Sequence, residues 1–169
     1  LNHKGYTLVE LVVVIVLAGV MLFLAIPSLR HVLLTDPLQS QAGQLSATVR
    51  DLRVDAMREQ LDYVLHFDPA RNRYWIYAVN MTPEEKDDRK KKAVSFPEGV
   101  KLTDIYHVGD VKKMDVEFET VFYKSGMAQP TVLHLSRDEQ AMTLIIEPFL
   151  NEVRIFDRYV EFPGDGDNG

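Results

Sequence analysis

GYTLVELVVVIVLAGVMLFLAI, residues 5–26, is the stretch on which the reading of this chain turns. Residues 11–26 carry no charge, and one carboxylate, Glu10, stands just before them. As a helix, residues 6–26 would be about 30 Å long, close to the thickness of one bilayer hydrocarbon core. The β-branched run Val12 to Val16 is a poor helix former in water. In lipid it is acceptable, because backbone groups there must bond within their own segment. Glu10 is costly in such a span unless it meets a partner or the interface, so it is the residue that asks for a function.

Three readings of this segment compete. A secretory signal peptide would use His3 and Lys4 before the apolar core, but no small-x-small cleavage site follows that core, which is long for its class. A plain signal anchor leaves Glu10 without a role. A signal cut before the apolar core uses every residue. GYTLVE, residues 5–10, resembles the glycine, aromatic, Thr-Leu-x-Glu pattern of type IV pilin-like proteins. The resemblance implies that prepilin peptidase cleaves between Gly5 and Tyr6 and N-methylates the new amine of Tyr6. It implies an assembly role for Glu10 and a helix-bending role for Pro27, near the end of the core. The physical logic agrees: the amine of one subunit would offset the cost of a neighbour's carboxylate in low dielectric and set the register of helices that otherwise slide. Charge does not orient the span, since His3 and Lys4 precede it and Arg30 and His31 follow it. The cytoplasmic placement of the leader follows from the resemblance.

Beyond the apolar core, Asp36-Pro37 reads as a helix start, with Asp36 as N-cap and Pro37 in the first helical position. Leu38, Ala42, Leu45, Val49, Leu52 and Ala56 then recur at steps of four and three, one apolar stripe on a helix. Val54, Met57 and Leu61 are expected to widen that stripe, so the helix should lie against a globular domain. A dimeric coiled coil is the rival; its repeat would be short and its later part too wide.

After Leu61 the period changes to two. Tyr63, Leu65 and Phe67 alternate with Val64 and His66; residues 68–72 (DPARN) read as a turn, and Tyr74 to Val79 as a strand. Residues 80–92 (NMTPEEKDDRKKK) are expected to be a charged, solvated loop. Further strands are expected at Val94–Phe96, Val100–Tyr106, Val116–Tyr123, Thr131–Ser136, Met142–Glu147 and Val153–Phe156. In the third of these, Val116, Phe118 and Phe122 should share a buried face against Glu117 and Glu119. Ser125-Gly126 and Glu147-Pro148 with Asn151 look like hairpin connections.

The fold class is therefore α+β: a long N-terminal helix, membrane-spanning in its first half and amphipathic in its second, packed on an antiparallel β domain. The expected division is a removed leader at 1–5, a transmembrane and assembly helix at 6–34, an amphipathic helix at 35–61, a β domain at 62–162 and a disordered tail at 163–169. The order of LHFDPARNRYWIY (65–77), FPEGV (96–100), FYKSG (122–126) and TLIIEPFLNEVRIF (143–156) behind a pilin-type helix is similar to the H-type minor pseudopilins of type II secretion and their pilus counterparts. That resemblance implies two packed sheets, an inner-membrane anchor with a periplasmic domain, and partners comprising other major and minor pseudopilins, prepilin peptidase and the inner-membrane secretion platform. The Phe-Leu-Asn-Glu turn after Pro148 departs from the glycine-containing turn usual there. A minor subunit of a type IV pilus, or a membrane-tethered periplasmic binding or sensor domain, are the alternative functions.

Little in the sequence points to catalysis. His3, His31, His66, His107 and His134 are scattered, and no metal-spaced pair, nucleophile elbow or phosphate-binding glycine loop is present. His66 and His134 read as structural or solvent-facing strand residues. Asp165, Asp167 and Asn168 have calcium-loop chemistry without the later glutamate of a full loop. Arg154 and Arg158 stand among Glu152, Asp157 and Glu161, and the net charge is -6, so nucleic-acid binding is not expected. No cysteine is present, which excludes disulfides and thiolate-held metals. Neither an enzymatic activity nor a cofactor or metal is expected.

Overall fold

The structure is a computed structural model; it describes residues 8–33 and 36–161. Two compact units divide at Asp36/Pro37. The first holds one helix, α1 (Leu8–Leu33), with Glu10 in its first turn. The second begins with helix α2 (Pro37–Glu59) and continues, among the described residues, as eight strands with one further α-helix.

The apolar stripe of α2 is borne out residue by residue, since Leu38, Ala42, Leu45, Val49, Leu52 and Ala56 are all buried. Its expected widening is not. Val54 and Met57 are 49% and 40% exposed. At 100° per residue Val54 falls opposite the stripe, and the flank beside Leu52 and Ala56 is taken by Arg53, which is buried.

Strands β1 (Tyr63–Asp68) and β2 (Arg73–Ala78) form a hairpin around a 3₁₀ turn, Pro69–Arg71. The turn is held by Asp68, which accepts from the Arg71 amide, and by Asn72 in the left-handed region. Helix α3 (Pro83–Lys91) follows where a loop was expected. The correction has a local cause. Thr82 and Glu85 make a reciprocal capping box, Pro83 fixes the first turn, and acidic residues at the start and basic residues at the end suit the helix dipole.

Strands β3 (Val94–Ser95), β4 (Lys101–His107), β5 (Phe118–Phe122), β6 (Thr131–Arg137), β7 (Gln140–Ile146) and β8 (Val153–Phe156) complete the unit. They divide into two antiparallel four-stranded sheets, ordered β3-β2-β1-β5 and β4-β6-β7-β8. One core joins the α2 stripe to the inner faces of both sheets, through Leu65, Phe67, Phe118 and Phe122 in the first and Leu133, Leu135, Leu144 and Ile146 in the second.

Two sequence expectations are corrected in detail. Val116 lies outside β5 and is exposed, while Thr120 completes the buried face with Phe118 and Phe122. Ser125-Gly126 does make a tight turn, with Gly126 at φ +86° donating its amide to Tyr123. The returning segment meets β5 at the Phe122–Ala128 bridge, flanked by bonds between Tyr123 and Met127 and between Gln129 and Val121, before the chain crosses to the other sheet. The connection expected at Glu147-Pro148 does join a paired hairpin, β7 to β8.

Candidate functional site

Glu10 and Pro27 both lie on α1, while Gly5, Tyr6 and the tail at 163–169 fall outside the described residues. Glu10 is exposed in the first turn, where the unsatisfied amides of a helix N-terminus favour an acidic side chain. The apolar side chains Leu8, Val9, Leu11 to Leu17 and Met21 are all exposed within this unit. They surround the helix on every side, so α1 has no single apolar stripe of the kind α2 buries. Among the described residues, no helix is long and apolar enough to cross a membrane.

In the β unit, the residues with chemical potential are committed to structural contacts. His66 is buried on the outer face of the first sheet and stacks on Trp75, ring centroids 4.0 Å apart. Its ring nitrogens lie 3.0 Å from Glu119 Oε1 and 3.1 Å from Glu117 Oε2. Tyr77 donates its hydroxyl to Glu119 at 2.7 Å; burial first, and then this bond, push the phenol up. Lys90 of α3 reaches Glu117 at 2.9 Å and also lies over Trp75. That lysine is the leading cause holding the Glu117 carboxyl below its ordinary value. The cluster therefore fastens α3 to three strands.

His134, at the centre of the second sheet's outer face, is fully buried and pairs with Asp104 at 2.6 Å. The expectation that these histidines are structural agrees with this geometry, but neither is solvent-facing. An Asp–His pair resembles the orienting half of a hydrolytic triad, yet the second ring nitrogen of His134 is occupied by the Val160 carbonyl and not by a hydroxyl or thiol. Among the described residues no group of three potential ligands could hold a metal. Arg154 pairs with Glu147 at 2.9 Å, which removes it from any basic patch.

Arg53 is the interior residue that the sequence reading passed over. It is 1% exposed, and its guanidinium donates to the carbonyls of Glu147, Pro148 and Gly126. Burial pulls it below its ordinary value. It ties α2 to the β7–β8 turn, which carries the exposed pair Phe149 and Leu150, and to the turn after β5. The available signal was its position, between two residues of the apolar stripe.

Comparison with known proteins adds two findings. Residues 1–26 match the family model of the prokaryotic N-terminal methylation motif. The fold is similar to two solved structures of the minor pseudopilin EpsH from the type II secretion system of Vibrio cholerae, with a TM-score of 0.56 and 15% identity in each. The similarity covers 75% of this chain and 100% and 98% of those chains. No curated protein sequence matches.

Proposed function

We propose that this chain is a minor pseudopilin of a type II secretion apparatus, processed between Gly5 and Tyr6 and assembled near the tip of a periplasmic pseudopilus. The observation that carries the reading is the coincidence, on one chain, of a methylation motif at residues 1–26 with an α+β unit that shares the fold of EpsH. A binding or sensor domain has no use for a methylation motif. In this reading the segment 6–34 is the inner-membrane and assembly helix, and residues 35–162 lie in the periplasm. The chemistry is non-covalent: the N-methylated amine of Tyr6 on one subunit neutralises Glu10 of a neighbour, and the pair fixes the axial register of helices that are apolar on all sides. Pro27 would bend or loosen the helix near the end of its apolar core. The β unit supplies contacts to other pseudopilins, and prepilin peptidase and the inner-membrane secretion platform are the further partners.

Mass spectrometry of the mature chain tests the processing step. The expected N-terminus is Tyr6 carrying one methyl group; an intact leader, or cleavage behind the apolar core, sinks the reading. Glu10→Ala is expected to leave cleavage intact and to reduce incorporation into pseudopili by about tenfold or more, since it leaves the neighbouring amine without its partner in low dielectric. Normal incorporation of that variant would refute the pairing.

A further inference from the structure

Residues 157–161 close over the outer face of the second sheet, and a buried titratable pair holds them there. His134 stacks face to face on Tyr159, with ring centroids 3.8 Å apart and planes within 15°. Its Nδ1 is 2.6 Å from Asp104 Oδ1 and its Nε2 is 3.0 Å from the Val160 carbonyl oxygen. Tyr159 donates its hydroxyl to Asp104 Oδ2 at 3.0 Å. The Val160 amide donates to Thr143 Oγ1 at 2.9 Å, and the Thr143 hydroxyl donates to the Arg158 carbonyl at 2.7 Å. Asp104 faces His134 because the ladder is irregular between Leu102 and Asp104, so that Leu102 points into the core and Asp104 to the outer face.

The hydrogen bonds constrain where protons sit. A carbonyl oxygen only accepts, so His134 Nε2 carries a hydrogen. The short contact between Nδ1 and Asp104 needs one more proton, on the ring or on the carboxyl. Without it, the nitrogen lone pair and the carboxylate oppose each other at 2.6 Å in a dry site. Moving the remaining ring proton to Nδ1 would restore that bond and lose the one to Val160. Asp104 and His134 are held by the β4–β6 ladder, whereas residues 157–161 belong to no strand.

We propose that residues 157–161 are a proton-dependent latch, closed while Asp104 and His134 share a proton and released when that proton is lost. The other groups facing the pair are Tyr106 from β4, Thr143 from β7, Tyr159 and Glu161 from the latch itself, and Lys112 from the β4–β5 connection. Lys112 bonds Glu161 at 2.6 Å and Tyr159 at 3.2 Å. Glu161 holds the Lys112 amine up and Lys112 holds the Glu161 carboxyl down, while burial pushes the Tyr159 phenol up. These three groups therefore keep their charge states around neutrality. Release converts a sealed Asp–His pair into an accessible one.

Hydrogen exchange at the Val160 amide of the full chain in detergent micelles, between about pH 5 and about pH 9, tests this. Protection, referred at each pH to the rate of an unstructured chain, is expected to fall by about tenfold or more as pH rises, with β6 amides unchanged. In Asp104→Asn the new amide donates to a neutral Nδ1 and its oxygen still accepts from Tyr159, so Val160 should stay protected throughout. Ring-nitrogen NMR of His134 in the wild-type chain needs no variant, and its titration midpoint should coincide with the loss of Val160 protection. A pH-independent Val160 amide, a midpoint unrelated to His134, or an Asp104→Asn chain with wild-type pH dependence overturns the proposal.

Discussion

Arg53 brings a guanidinium into the interior beside Leu52 and Ala56, where charge is expensive unless it is fully bonded. Its partners are three carbonyls on two separate turns, so the residue organises a junction at which α2, the β7–β8 turn and the turn after β5 meet. Arg53→Ala removes the donors and leaves a void. The expected loss is about 3 kcal/mol or more, measured by denaturant unfolding of the full chain. Arg53→Met restores most of the volume without the donors, and about 2 kcal/mol of the loss should remain. If the two variants were equally stable to the wild type, the carbonyl contacts would carry no weight. Gly126 belongs to the same junction: its φ of +86° suits glycine, and a Cβ there would lie 2.7 Å from the Met57 sulfur.

Helix α3 contains no buried residue and is only nine residues long, too short to persist in water on propensity alone. What maintains it is its cap and the two lysines at i and i+4 that lie over aromatic rings, Lys86 on Tyr77 and Lys90 on Trp75. Thr82→Ala should cost about 1 kcal/mol locally, read as faster amide exchange in Glu84 to Lys86 with the β1 and β2 amides unaffected. The signal for this helix, Thr82-Pro83-Glu84-Glu85, was present in the sequence. Apolar periodicity gave no warning, because the helix docks through the ammonium groups of lysines and not through an apolar stripe. The β5 connection misled in the opposite sense. Its turn chemistry was legible at Ser125-Gly126, but a turn specifies only that the chain reverses, and β5 pairs with β1 while β6 pairs with β4 and β7.

For the β unit as a whole, acid should be destabilising. Asp68 is buried beneath the 3₁₀ turn; burial pushes its carboxyl up, but bonds from Arg71 and Arg73 outweigh this and hold it below its ordinary value. A carboxyl lowered in the folded state stabilises fully above its unfolded value of about 4, and that contribution is lost as pH falls through the folded value. Denaturant midpoints should therefore decline below about pH 4. Asp68→Asn should lower stability near neutrality by about 2 kcal/mol and flatten the acid decline. A variant with an unchanged acid limb would show that Asp68 is not its source. The latch over His134 responds in the other direction, and its local opening is separable from global unfolding by amide exchange.

The sequence by itself determined the elements that rest on local periodicity and chemistry: the methylation motif at residues 1–26, the apolar stripe of α2, the turn at 68–72 and the β7–β8 hairpin. Each is written in spacings of a few residues, which chain geometry converts directly into a face or a reversal. Tertiary structure alone decided which strands share a sheet, that Val54 and Met57 remain exposed, and that Arg53, His66 and His134 are interior. These outcomes depend on partners distant along the chain. Arg53 is tolerated because carbonyls 73 to 95 positions away converge on it, and His134 because Asp104 and Val160 arrive from either side. A buried polar group is costly until hydrogen bonds offset its desolvation, and those partners belong to the fold and not to any segment; in Arg53 they reach both terminal nitrogens, while Nε is buried without one.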